Sequence, residues 1–367
     1  MRIAITGTRG VPNNYGGFEQ CAERLAVLLG QAGHEVTVYN PHYHEYDKSE
    51  FHGVKIIKQW NPEMSFGTVG NFIYDYKCMK HAIKMESDIL LVLGYTTASL
   101  FYPFLGRGKS ILVTNMDGLE WKRGKWNYVV KKFAKWLEKL GVRYSDHLIS
   151  DNREIKNYFS KEYQVDSAFI AYGADAFTTP DESILSAYGV EAYQYNLIIA
   201  RLEKENNIET MLDGVLLSKD KTPYLIVGKT NTPYGEFLTN KYKDSKHIRF
   251  MGGVYKQDHL NNLRHFGKYY IHGHSVGGTN PSLLEAMVCG AYILAHDNLF
   301  NRDVLGDQAW YFDSPQTLAA VLNDGNKLES MRDLYVRTQM EKINREYNWQ
   351  KITDQYDSFF KKILASR

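Results

Sequence analysis

The stretch from His272 to Asp297, HGHSVGGTNPSLLEAMVCGAYILAHD, holds residue types that could bind an anionic ligand. Gly277 and Gly278 have no Cβ, so a ligand can come close to the backbone there. Thr279 or Asn280 is expected as a helix N-cap, with Pro281 at the first helical position, where its missing N–H costs nothing. The unpaired amides of that first turn carry the positive end of the helix dipole and suit phosphate oxygens. Glu285 follows Pro281 about one turn deeper on the same helix face, where a carboxylate can accept hydrogen bonds from a pair of sugar hydroxyls. Taken alone, these residues also fit a plain helix cap with a solvated glutamate.

A second close-approach loop follows the first apolar run, in GTRGVPNNYGGFEQCAERLAVLLGQAGH. Gly7, Gly10, Gly16 and Gly17 surround a turn, and Phe18 or Glu19 is expected to open a helix. Gly16 and Gly17 could turn backbone amides toward a diphosphate or an acceptor, or could serve only to shape the turn. A nicotinamide dinucleotide site would need G-x-G-x-x-G and an acidic residue at the end of the second strand. This chain has neither, and its second strand is expected to end at Asn40. No cofactor is expected.

The elements that must position these loops alternate strands with helices. RIAIT, EVTVYN, VKIIKQ, DILLVLG, SILVTN and HLISD read as strands of a parallel sheet covered on both faces. A second run of the same type begins at YNLIIAR and continues through YLIVG, IRFMGG, YYIHGH and AYILAHD. Between them, near residues 175–193, lie turn formers and acidic residues, expected as a hinge. The fold class is therefore α/β, with two Rossmann-like domains facing each other across a cleft. The expected domains are 1–175, 190–345, and a C-terminal helix over 346–367 that folds back on the first domain.

The chain has 367 residues, enough for two domains, and a formal charge of +2, too small for the whole molecule to bind nucleic acid. Cys21, Cys78 and Cys289 are far apart and lack metal-type spacing, so reduced thiols and a cytoplasmic location are expected. The most apolar window, Ile89 to Gly106, is interrupted by Gly94, Thr96, Thr97 and Pro103 and reads as a buried strand followed by a helix. No secretion signal is expected at the N-terminus.

In combination, the glycine-rich first loop, IIARLEKENN in the second half and PSLLEAMVCGAYILA near its end resemble the retaining family 4 glycosyltransferases of the GT-B fold. GTRGVPNNYGGFE, NMDGLEWKRGKW and GHSVGGTNPSLLEAM narrow the resemblance to bacterial polysaccharide rhamnosyltransferases. The resemblance implies a nucleoside diphosphate sugar in the second domain, an acceptor against the first, and transfer with retention of configuration. It implies dTDP-rhamnose as donor and a lipid-linked cell-surface glycan as acceptor. A sugar-nucleotide epimerase or phosphorylase on the same fold is the alternative.

The resemblance also assigns roles. Arg201 matches the arginine that neutralises the donor diphosphate, and Glu285 the ribose-binding glutamate. Gly277, Gly278, Thr279 and Asn280 would line the diphosphate, Gly16 and Gly17 would approach it from the first domain, and Val254 would lie in the base pocket. Asp117 stands where many relatives have a histidine near the reacting sugar; a buried N-cap aspartate is its structural alternative. Two departures stand out. The carboxylate expected eight positions before Glu285 is Gly277, and the family lysine five residues after the arginine is Asn206, with Lys204 close by. With no D-x-D pair, activity without metal is expected, and His272 and His274 are read as structural.

From Trp121 to Arg143 the chain carries eight Lys or Arg against the single acid Glu138. Val129, Val130, Phe133, Trp136, Leu137 and Leu140 are expected to form one apolar stripe, with Lys131, Lys135 and Lys139 along another face. Such a helix could dock on an anionic membrane from the cytoplasmic side, or be an ordinary domain helix with a solvated basic face.

Overall fold

The computed structural model describes residues 1–13, 16–116, 118–124 and 126–366. The chain divides into two compact units: residues 1–122, 126–173 and 349–367 form one, and residues 123–125 with 174–348 the other.

Among its described residues the first unit carries an eight-stranded sheet built from β1 (Arg2–Thr6), β2 (Glu35–Pro41), β3 (Glu50–Phe51), β4 (Val54–Gln59), β5 (Ile89–Leu93), β6 (Ile111–Asn115), β7 (His147–Ser150) and β8 (Ala168–Phe169). Their order is β3-β4-β2-β1-β5-β6-β7-β8, parallel except for the β3–β4 pair. β5 and β6 are buried along their whole length, which is why they read as continuous apolar runs and not as alternation. The order reverses between β1 and β5, which puts the glycine-rich loop after β1 at the switch point, where open α/β sheets bind ligands.

Helices cover this sheet. The helix Gly17–Gln31 buries Cys21, Ala22, Leu25, Ala26 and Leu29, spaced one turn apart. The C-terminal helix Trp349–Ala365 lies in the same unit, burying Trp349, Ile352, Tyr356 and Phe360. His34 Nε2 lies 2.8 Å from Asp357 Oδ1, and a Cβ at Gly173 would strike the Trp349 ring at 2.5 Å.

In the second unit the strands are β9 (Asn196–Ile199), β10 (Tyr224–Val227), β11 (Ile248–Gly252), β12 (Tyr270–His272), β13 (Ile293–His296) and β14 (Trp310–Phe312). They are all parallel in the order β11-β10-β9-β12-β13-β14, so the reversal falls between β9 and β12. Ile198, Ile226, Ile271 and Leu294 bring the core side of the four central strands together with Met211 and Leu212 of the helix Ile208–Leu217.

The helix Tyr128–Tyr144 departs from its expected faces. Its buried residues are Ala134, Leu137, Glu138 and Gly141, whereas Val129 is 73% exposed, Phe133 43% and Trp136 46%. The apolar stripe is split because Glu138 points inward and anchors the opposite side. Its carboxylate accepts from Trp121 Nε1 at 3.0 Å, Tyr158 OH at 2.6 Å and Tyr163 OH at 2.7 Å. Lys135 leaves the expected basic row to pair with it, Nζ to Oε1 3.0 Å. A buried carboxylate with this many donors fixes the rotation of the helix.

Candidate active site at the strand-order reversal

The second unit brings two loops together at the carboxyl ends of β9 and β12, and local chemistry stitches them. Asn207, at φ 52°, donates from Nδ2 to the Gly273 carbonyl at 2.8 Å and to Ser275 Oγ at 3.0 Å. Ser275 in turn gives both its N–H and its hydroxyl to the Glu205 carbonyl, at 3.2 Å and 2.9 Å. Gly273 must be glycine, since a Cβ there would lie 2.2 Å from the Asn206 carbonyl oxygen.

Arg201 stands on the first of these loops, exposed, with no hydrogen bond or ion pair of its guanidinium among the described residues. Asn206 sits beneath it: 4% exposed, it donates Nδ2 to the Arg201 carbonyl at 2.7 Å. The side chain expected to face the donor therefore braces the loop, while Lys204 remains exposed. Residues 123–125 join this unit, with Arg123 Nη1 3.8 Å from Oε1 of the buried Glu205.

On the second loop Gly277 has φ 127° and open space where a Cβ would stand. Asn280 is the N-cap of the helix Pro281–Val288, its Oδ1 accepting from Ser282 N at 3.0 Å, with Pro281 inside the first turn. Thr279 is 3% exposed and Gly278 is buried, so Gly277 and Asn280 are the more accessible members of this turn. Val254 follows β11, an edge strand, and is half-buried.

Glu285 is on the accessible side of that helix, its side chain 16% exposed, and is held from beneath by a residue that the sequence reading missed. Arg264, whose side chain is 1% exposed, reaches Glu285 Oε2 with Nη2 at 2.5 Å and Ser282 Oγ at 3.2 Å. Burial works against the guanidinium charge, yet the Glu285 carboxylate outweighs it and holds the pKa above its ordinary value. Arg264 lies in the polar helix Gln257–His265, where nothing in spacing or composition marks it as buried.

His272 and His274 stack at 4.6 Å between ring centres, with His272 buried and His274 half-buried. Burial, then the charges of Arg201 and Arg123, pushes the His274 pKa down to about 4, so its ring is neutral. Among the described residues no group of three or more His, Cys, Asp or Glu could hold a metal ion.

Gly16 and Gly17 lie in the first unit. Gly16 is the extended N-cap of the helix Gly17–Gln31, without a side-chain cap. Two residues that sequence reasoning did not assign hold the loop before it. Asn40, fully buried, accepts from Val11 N–H at 3.0 Å and donates to the Val11 carbonyl at 2.7 Å, and Glu19 accepts from Arg9 N–H at 2.8 Å. Asn40 thus clamps the loop from the strand end where a dinucleotide site would carry its acid. Asp117 lies outside the described residues.

Residues 1–175 match the family Domain of unknown function (DUF1972), and residues 189–344 match Glycosyl transferases group 1. No curated protein matches the sequence. Sucrose-phosphate synthase from Thermosynechococcus elongatus superposes with a TM-score of 0.80 at 15% identity over 100% of both chains. HepE from Anabaena, in complex with UDP and glucose, superposes with a TM-score of 0.76 at 15% identity over 99% of this chain and 100% of that one. The catalytic domain of starch synthase IV from Arabidopsis thaliana, bound to ADP and acarbose, gives 0.73 at 13% identity over 99% of each. At these identities the likeness shows the fold, which is GT-B.

Proposed function

We propose that this glycosyltransferase, a nucleotide-sugar-dependent enzyme whose second half carries the group 1 domain, transfers L-rhamnose from dTDP-rhamnose to a lipid-linked cell-surface glycan with retention of configuration. The observation that carries the reading is that Arg201 and the N-terminus of the helix Pro281–Val288 stand on the two loops that Asn207 and Ser275 join at the strand-order reversal. A guanidinium and the amides of a helix N-terminus both suit the charge that develops on a departing diphosphate.

In this mechanism the acceptor hydroxyl attacks the anomeric carbon on the face the diphosphate leaves. The new C–O bond forms as the old one breaks, and the hydroxyl proton passes to a diphosphate oxygen. Arg201, Gly277, Gly278, Thr279 and Asn280 stabilise the leaving group, with Lys204 as a second cation. Glu285 orients the ribose, and Val254 borders the base. Gly16 and Gly17 offer amides from the first unit, and Asp117 contacts sugar or acceptor hydroxyls. Gly277, in place of a carboxylate, leaves room for a 6-deoxyhexose. Electrostatic preorganisation supplies the acceleration, with no cofactor or metal.

The acceptor's lipid would bring the enzyme to the cytoplasmic face of a membrane through residues 121–143; no helix among the described residues is long and apolar enough to cross one. The group 1 match does not favour the epimerase or phosphorylase alternative. A thermal-shift panel of dTDP, UDP and GDP, followed by incubation of dTDP-rhamnose with acceptor, tests the reading. Preferential stabilisation by dTDP and transfer of rhamnose are expected. Interconversion of the donor without transfer would overturn it.

A further inference from the structure

In the first unit, two separate elements expose large apolar side chains and meet. Met64 is 81% exposed, Phe66 65%, Val69 66% and Ile73 39%, on the turn and helix start following β4. On the helix Tyr128–Tyr144, Tyr128 is 69% exposed and Val129 73%, with Phe133 and Trp136 turned out beside them. Phe72 joins the two elements, its ring 6.3 Å from that of Phe133, and Phe133 stacks on Trp136 at 5.7 Å. Single exposed apolar residues need no explanation, but a joined patch of this kind does.

Basic groups border the patch. Lys132, Lys139 and Arg143 are exposed on the helix Tyr128–Tyr144, and Lys80 is exposed on the helix Gly70–Lys84. The one acid of the first helix, Glu138, is fully buried and already engaged. Apolar and aromatic side chains framed by cations complement an anionic lipid headgroup layer over hydrocarbon.

We infer that the turn and helix start at Met64–Ile73 and the helix start at Tyr128–Trp136 form one two-part surface that inserts into an anionic phospholipid bilayer. This rests on the membrane reading above and extends it to a segment outside residues 121–143. Glu63, at the start of the same turn, pairs with Arg9 of the glycine-rich loop, Oε2 to Nε 3.2 Å, and accepts from Tyr43 OH at 2.9 Å. Insertion of the turn therefore places the glycine-rich loop at the membrane surface, where a lipid-linked acceptor would arrive.

Co-sedimentation with phosphatidylcholine vesicles, with and without phosphatidylglycerol, tests this. Wild type is expected on the anionic vesicles, released by salt. Met64→Ser/Phe66→Ser is expected to weaken partitioning about tenfold or more with its melting temperature unchanged, because both side chains already face solvent. Lys132→Ser/Lys139→Ser is expected to lose the preference for phosphatidylglycerol. Absence of vesicle binding by wild type overturns the membrane reading altogether. Binding that responds to the lysine substitutions but not to Met64→Ser/Phe66→Ser overturns the two-part surface while leaving the helix as the contact. A dimer in sedimentation velocity that the apolar substitutions dissolve would assign the patch to a second copy instead. The nucleotide panel, run without lipid, reports on the donor reading independently of all three.

Discussion

Arg264 and Glu285 are bound as an ion pair, Nη2 to Oε2 2.5 Å, with the arginine side chain 1% exposed and the glutamate 16%. The carboxylate proposed to face ribose is thus also the counter-charge of a buried guanidinium. Glu285→Ala should consequently cost stability, about 3–5 kcal/mol, because it strands that charge. Urea unfolding measures this. Arg264→Met/Glu285→Met should recover most of the loss without recovering turnover, which separates the two roles of the carboxylate. A double variant as active as wild type would refute the ribose assignment.

Arg201→Ala is expected to leave the melting temperature unchanged, since the side chain is exposed and unpaired among the described residues. Turnover should fall by about two to three orders of magnitude, the loss typical of one donor to developing charge. Arg201→Lys should recover only part, lacking the guanidinium fork. Initial rates with saturating acceptor decide it, and near-normal turnover in Arg201→Ala would remove the residue from the mechanism.

Asn40→Ala should orphan the buried N–H and C=O of Val11, at about 1–3 kcal/mol for each group left unpaired. Because the loop it clamps leads to Gly16 and Gly17, proposed to offer amides to the donor diphosphate, the donor KM is expected to rise. An unchanged donor KM would remove the two glycines from the donor site.

His274 gives the protein an acid-sensitive limb. Burial first, then Arg201 and Arg123, lowers its pKa from 6.5 to about 4 in the fold. The unfolded chain takes up the proton more readily, so the stabilisation is complete above pH 6.5 and is lost as pH falls through 4. His272 is lowered in the same direction, chiefly by burial. Unfolding free energy should decline across this window by about 1.4 kcal/mol per pH unit for His274. His274→Gln should flatten the decline; an unchanged pH profile would mean that the ring is protonated in the native state.

The helix Pro281–Val288 was legible from the chain itself, because its signals are local: a cap at Asn280, a proline with no N–H to lose, and two glycines before it. β1, β5 and β10 could be read equally well, since strands buried on both faces leave unbroken apolar runs. β3, β8 and β14, two or three residues long, are too short for any periodicity to show. What required the tertiary structure were relationships between distant positions. Arg264 reaches a carboxylate on another helix, Asn40 clamps a loop across the sheet, and Asn206 turns inward beneath Arg201. The amphipathic pattern of the helix Tyr128–Tyr144 could announce a helix but not its rotation, which the buried Glu138 fixes through Trp121, Tyr158 and Tyr163. Capping and periodicity act within a few residues and are written in order along the chain, whereas the burial of a charge depends on which partner the fold brings to it.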